Sequence, residues 1–119
     1  MLQIAVPKET AAHENRVALS PAAVSQLIKD EHQVLIEKGA GDASNFLDQD
    51  YTDAGVTIAT NRNEIFSQAD LVLAVQTPSE DDLGLMKKGS TLICILWALQ
   101  HPELVEKLKS LGITALGMD

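Results

Sequence analysis

Short apolar runs recur along the chain, and most are followed by a stretch in which apolar residues return every three or four positions. The runs Leu2–Val6, Gln33–Glu37, Thr57–Ala59, Leu71–Gln76, Thr91–Leu96 and Thr114–Gly117 are rich in branched side chains and bounded by turn signals, so the pattern predicts six strands. Most are apolar at consecutive rather than alternate positions, which predicts burial on both faces of a parallel sheet. Between them the spacing predicts helices. Pro21–Asp30 sets Val24, Leu27 and Ile28 on one face, with Ser20 as N-cap and Pro21 at the first helical position. Arg62–Gln68 turns Ile65 and Phe66 inward, and Pro102–Leu111 aligns Leu104, Leu108 and Leu111 before stopping at Gly112. Asp81–Met86 has room for one helical turn ahead of the turn Lys87-Lys88-Gly89. No repeat, low-complexity tract or linker breaks the alternation. Residues 1–119 are therefore expected to form a single α/β domain, three layers deep (α/β/α), with a mainly parallel sheet and right-handed crossovers.

Two stretches do not settle so easily. Residues 8–21, KETAAHENRVALSP, carry Lys8, Glu9, His13, Glu14, Asn15 and Arg16 between the first strand and the first helix. That is longer than the usual connection of about 2–6 residues. It reads either as a solvated loop or as cations presented at the carboxyl end of a strand, where open α/β sheets keep their ligands. Gly39-Ala40-Gly41-Asp42-Ala43 follows the second strand, but its spacing is not G-x-G-x-x-G and no amphipathic helix opens on it, so a plain turn is the better reading. The first strand runs into Val6-Pro7-Lys8 with no glycine. The fold class is thus flavodoxin- or Rossmann-like without the glycine-rich fingerprint.

Composition narrows the function classes. A net charge of −8 disfavours nucleic acid and anionic membrane surfaces, which reward Lys and Arg. Cys94, the one cysteine, lies in an apolar run, so no intramolecular disulfide forms and a buried thiol in a reducing compartment is expected. With one cysteine and three histidines, no metal site is expected. No apolar stretch approaches the roughly 18–20 residues of a membrane span, and no signal peptide is visible. Aromatic residues make up only 3%, leaving the core to Leu, Ile, Val and Ala.

Four residues are candidates for lining a ligand cleft. Arg16 offers a fork of donors for a carboxylate or phosphate, with an ion pair to Glu9 or Glu14 as the alternative. Lys8 opens the same charged stretch. Gln76 and Trp97 each follow a buried strand; an amide there can orient a ligand, and Trp97 either packs in the core or walls the cleft. His101, before Pro102, reads as a surface residue. No Ser–His–Asp, Cys–His or paired-carboxylate pattern appears, so no catalytic residue is assigned.

The opening Ile4-Ala5-Val6-Pro7-Lys8-Glu9-Thr10 with Glu14-Asn15-Arg16-Val17-Ala18-Leu19-Ser20-Pro21 resembles the amino-terminal signature of alanine dehydrogenases and proton-translocating NAD(P) transhydrogenases. The resemblance continues through residues 34–41, 46–51 and 69–73, then Pro102-Glu103-Leu104 and Gly117-Met118-Asp119, and so covers the whole chain. It implies a lysine at position 76 and a histidine at position 97 in alanine dehydrogenases, where this chain has Gln76 and Trp97. The stretch 95–104, with Trp97, resembles instead the transhydrogenase alpha subunit. That resemblance implies the first lobe of a two-lobe NAD(H)-binding subunit, whose second, dinucleotide-binding lobe and Arg- and Gln-containing loop lie beyond residue 119. It implies hydride transfer from NADH to NADP⁺ coupled to proton translocation, with no cofactor-binding residue within this chain and no cofactor held tightly by it alone. NAD(H) would sit in the complete subunit and NADP(H) on a partner domain. The partners implied are the remainder of the alpha subunit, the beta subunit and a second copy in a homodimer, on the cytoplasmic side of a bacterial inner membrane. An alanine dehydrogenase-like oxidoreductase, or a free-standing module binding a small carboxylate through Arg16, are the alternatives.

Overall fold

Ile4, Ala5 and Val6 are apolar in succession because both faces of their strand are covered. Gln3–Val6 (β1) lies inside a six-stranded sheet. The computed structural model describes residues 1–118; Asp119, the last residue of the terminal stretch quoted above, lies outside the described residues. After β1 the chain forms Pro21–Lys29 (α1), Gln33–Glu37 (β2), Asp48–Asp53 (α2), Thr57–Ala59 (β3), Arg62–Ser67 (α3), Leu71–Gln76 (β4), Glu80–Gly84 (α4), Thr91–Ile95 (β5), Pro102–Leu111 (α5) and Thr114–Gly117 (β6). The strand order is β3-β2-β1-β4-β5-β6 with every pairing parallel. All six strands thus stand where the hydrophobic pattern places them, within a residue at their ends.

Two apolar clusters sandwich the sheet. Val24 of α1 and Tyr51 of α2 pack with Ile4, Val6, Val34 and Ile36 on one face. Ile65 and Phe66 of α3, Leu83 of α4 and Leu108 of α5 pack with Ala5, Val72, Leu92 and Cys94 on the other. Ser20 caps α1 by accepting from the Ala23 amide, and Gly112 closes α5 at φ 72°, as both residue types require. Among the described residues no helix is long and apolar enough to cross a membrane.

The expectation of burial on both faces holds for β1 and β2 but not for β4 and β5. In β5, Leu92 and Cys94 are buried while Thr91, Ile93 and Ile95 are only partly covered. The sequence also gives no sign of α2, because five of its six residues are polar and only Tyr51 turns inward. It is nucleated by the Asp50 carboxylate, which accepts from the Leu47 amide at 2.9 Å, and held by the Tyr51 hydroxyl, which donates to the Leu19 carbonyl at 2.7 Å.

Gly41 turns out to be a packing glycine, in line with the plain-turn reading. A Cβ there would lie 2.6 Å from the Phe46 carbonyl oxygen and 2.8 Å from the Tyr51 ring. Gly41→Ala is expected to cost about 1–3 kcal/mol through overpacking. Gly84→Ala, where nothing lies within 4 Å, is the neutral control. Urea denaturation of the two variants side by side measures the difference.

Candidate functional site

Because β1 pairs with both β2 and β4, the sheet order reverses at β1/β4, and open α/β sheets bind ligands at the carboxyl ends of the strands flanking such a reversal. A hollow lies there, lined among others by Pro7, Lys8, Glu9, Arg62, Gln76 and Pro78. A second hollow shares Gln76, Thr77 and Pro78 and extends to Trp97, His101 and Glu103. Gln76 is therefore one of the residues common to both.

The long connection after β1 is not a free loop. Pairing between β1 and β4 stops at Ala5–Val72, which leaves the later β4 amides needing partners. Glu9 supplies them: its carboxylate accepts from the Val75 amide at 3.0 Å and the Gln76 amide at 2.9 Å. The returning half is tied down by the Ser44 hydroxyl donating to the Asn15 carbonyl and by Tyr51 holding Leu19. Val17, Ala18 and Leu19 then pack against the cluster beneath α1.

Arg16 resolves its two alternatives in favour of Glu14. Its Nε and Nη2 donate to the two Glu14 oxygens at 2.9 and 2.7 Å, while its side chain stays 63% exposed. Gln76 Nε2 donates to the same Glu14 carboxylate at 2.8 Å, so Glu14 joins Arg16 to Gln76 across the rim. The Arg16 guanidinium, aided by the Gln76 amide and the Arg16 N–H, pulls the Glu14 carboxyl down to about 2. A carboxyl depressed in the folded state stabilises it above the ordinary value of 4.5 and loses that contribution as pH falls toward 2. Amide protection in residues 10–19, taken relative to the intrinsic exchange rate at each pH, is accordingly expected to fall as pH drops through that window, and Glu14→Gln to abolish the dependence. Protection that is flat in pH between 4.5 and 2 in the parent would contradict it.

Lys8 contributes mainly backbone. Its N–H donates to Glu37 at 2.9 Å and its carbonyl accepts from Arg62 at 2.9 Å, whereas its exposed ammonium reaches toward Gly39 and Asp42 rather than toward Arg16. Trp97 is not a core residue. It is 49% exposed at φ 52°, a left-handed backbone rare for a bulky side chain, and opens the turn 97–100 that leads into α5. His101 is half exposed, with Nδ1 3.4 Å from a Glu103 oxygen.

Sequence reasoning missed Arg62. Its Nη1 donates to Glu37 at 2.6 Å and to the Lys8 carbonyl, its Nε and Nη2 donate to Asp82 at 3.3 and 2.8 Å, and its guanidinium lies 5.2 Å from the Phe66 ring centroid. It locks the ends of β1 and β2 to α3 and α4. No local signal in the sequence distinguishes it from any other first-turn helix residue.

The two hollows offer a ligand the neutral groups of Gln76, Thr77 and Ser79, whereas Arg16 lines neither of them and its fork is taken up by Glu14. The rim is not built to hold a pyrophosphate by itself: β1 ends without a glycine turn, and Glu9 already occupies the amides at the end of β4. Among the described residues no three metal-ligating side chains converge.

A family model described as "Alanine dehydrogenase/PNT, N-terminal domain" matches residues 5–119. The NAD(P) transhydrogenase subunit alpha of Haemophilus influenzae is 38% identical over 116 residues, covering 98% of this chain and 22% of the relative. The alanine dehydrogenase of Bacillus subtilis is 40% identical over 116 residues, covering 98% and 30%. The structure of transhydrogenase from Sinorhizobium meliloti superposes with a TM-score of 0.92 at 29% identity, covering 98% and 34%. The chain thus spans between about a fifth and a third of the length of these relatives.

Proposed function

The chain belongs to the alanine dehydrogenase/PNT N-terminal domain family, and from that premise we propose that it is the first lobe of the NAD(H)-binding alpha subunit of a proton-translocating transhydrogenase. The observation that carries this reading is what occupies the rim. Gln76 and Trp97 stand where the alanine dehydrogenase pattern has a lysine and a histidine, and neither can carry a cation or exchange a proton. Direct hydride exchange between two nicotinamides needs no such group; the protein has only to bring the rings together and orient them. Arg16, Gln76 and Thr77 would line one wall of the cleft, and the remainder of the subunit would hold the dinucleotide. NADP(H) would sit on a partner subunit, and proton movement would belong to membrane domains outside this chain. A homodimer of the complete subunit at the cytoplasmic face is part of the same reading.

A second reading, an alanine dehydrogenase-like oxidoreductase, has one observation in its favour: His101 lines the hollow that Gln76 and Trp97 share. One experiment separates the two. The complete subunit, combined with its NADP(H)-binding partner, is expected to transfer hydride from NADH to NADP⁺, yielding NAD⁺ and NADPH. Residues 1–119 alone are expected to show no NADH binding by calorimetry at micromolar concentrations. Absence of transfer in the complete assembly, or tight NADH binding by the isolated chain, would overturn the proposal.

A further inference from the structure

The Glu14 carboxylate has no acceptor site left for a ligand. Its Oε1 accepts from Arg16 Nη2 at 2.7 Å and from Gln76 Nε2 at 2.8 Å. Its Oε2 accepts from the Arg16 backbone N–H at 3.0 Å and from Arg16 Nε at 2.9 Å. A carboxylate offers about four lone-pair sites, and here the protein fills all four. The side chain is 7% exposed, and it lines neither hollow. A carboxylate saturated in this way serves neither as a general base nor as a ligand contact. What it does is fix its donors.

Of those donors, Gln76 is the one that lines both hollows. An ionised carboxylate only accepts, so it selects the nitrogen end of the Gln76 amide. The oxygen end is left over: Gln76 Oε1 makes no hydrogen bond among the described residues. The Gln76 backbone is held as well, its N–H donating to Glu9 at 2.9 Å. The Thr77 hydroxyl, beside it in the same hollows, is already donating to the Ile95 carbonyl at 2.8 Å. An untethered glutamine would present either end of its amide, because the two ends are nearly isosteric. Gln76 does not have that choice.

We propose that Glu14 is a positioning residue: by holding Gln76 Nε2 it makes the amide oxygen the group that Gln76 offers to a ligand, so that the rim receives hydrogen-bond donors and turns away a carboxylate. Taking the nicotinamide ring as that ligand rests on the reading above, whereas the orientation of the amide does not. The ring's carboxamide is neutral and carries N–H donors. Its acid analogue would set carboxylate oxygens against Oε1, an acceptor facing an acceptor, with no donor to offset the lost water. Released from Glu14, the amide is free to turn its nitrogen toward such an acid.

The test uses the complete protein carrying isotope-labelled glutamine, with the Gln76 side-chain resonances identified by their loss in Gln76→Leu. In Glu14→Leu the bonded Nε2 proton is expected to move upfield, into the range of exposed glutamines, because its charged acceptor is gone. Glu14→Gln, whose amide oxygen still accepts from Nε2, is expected to keep part of the shift, and it serves if Glu14→Leu does not fold. Calorimetry supplies the second readout. The parent is expected to bind NAD⁺ at least about tenfold more tightly than the nicotinic acid form of the dinucleotide, and Glu14→Leu and Gln76→Leu to bring the two within about threefold. A purely structural role would weaken both ligands alike and leave that ratio intact. A Gln76 resonance that is the same in the parent and Glu14→Leu overturns the positioning role, and an unchanged ratio overturns its effect on the ligand. A parent that binds neither dinucleotide counts against the NAD(H) reading instead, and the amide resonance then decides the proposal by itself.

Discussion

Replacing Arg62 with alanine is expected to lower stability by about 2–3 kcal/mol, a fall in Tm on the order of 10 °C. The guanidinium is only 26% exposed, and its carboxylate partners Glu37 and Asp82 are 16% and 15% exposed. Removing it strands both acids side by side near the sheet, along with the Lys8 carbonyl that it also satisfies. Residual solvent access keeps the cost below the 3–5 kcal/mol of a fully buried pair. Arg62→Lys should recover less than half of the loss, since an ammonium cannot fork to Asp82 while reaching Glu37 and a carbonyl. Arg16→Ala is the contrast. It removes an ion pair whose cation is 63% exposed, and about 0–1 kcal/mol is expected. Thermal melts of the three variants decide it. An Arg62→Ala protein that melts like the parent would show that the two acids find other partners.

The different fates of these two arginines show what a linear reading can reach. The Arg16–Glu14 pair is local, two residues apart, and so was visible among the alternatives. Arg62 meets Glu37 and Asp82 at separations of 25 and 20 residues, and only the strand order brings them together. The strands themselves are legible because branched apolar runs have one use in a chain this poor in aromatics. Their faces are less so: Thr91–Ile95 looks as apolar as Gln33–Glu37, yet whether its second face is covered depends on where other helices fall. α2 escaped because a six-residue helix with one buried side chain has no period to detect. Trp97 was left between the core and a cleft wall because burial statistics favour the one and its place after a strand the other, and nothing in the residues nearby announces a left-handed backbone. The rim was half legible. Gln76 stands out by following an apolar strand into Pro78, whereas Glu9 and Glu14 become intelligible only when β4 arrives beside them.

Turnover of pyruvate with ammonium by the complete subunit, combined with its NADP(H)-binding partner, is expected to fall at least about a thousandfold below the hydride transfer to NADP⁺ proposed for that assembly. Reductive amination asks for a cation to hold the substrate and for a group that passes protons at the carbonyl carbon. General acid–base catalysis of that kind is worth roughly 10²–10⁴ in rate. At this rim the position-76 side chain is an amide already donating to Glu14 at 2.8 Å. The indole at position 97 has no titratable proton near neutrality. Arg16 remains, but binding a carboxylate without proton transfer lowers a KM rather than raising a kcat. His101 is the imidazole that lines the shared hollow, half exposed and beside Glu103. NADH oxidation followed at saturating pyruvate and ammonium, against hydride transfer in the same preparation, makes the measurement. Comparable rates would return the chain to the alanine dehydrogenases. Loss of the pyruvate activity in His101→Ala, with hydride transfer retained, would then identify the group that had taken over the proton.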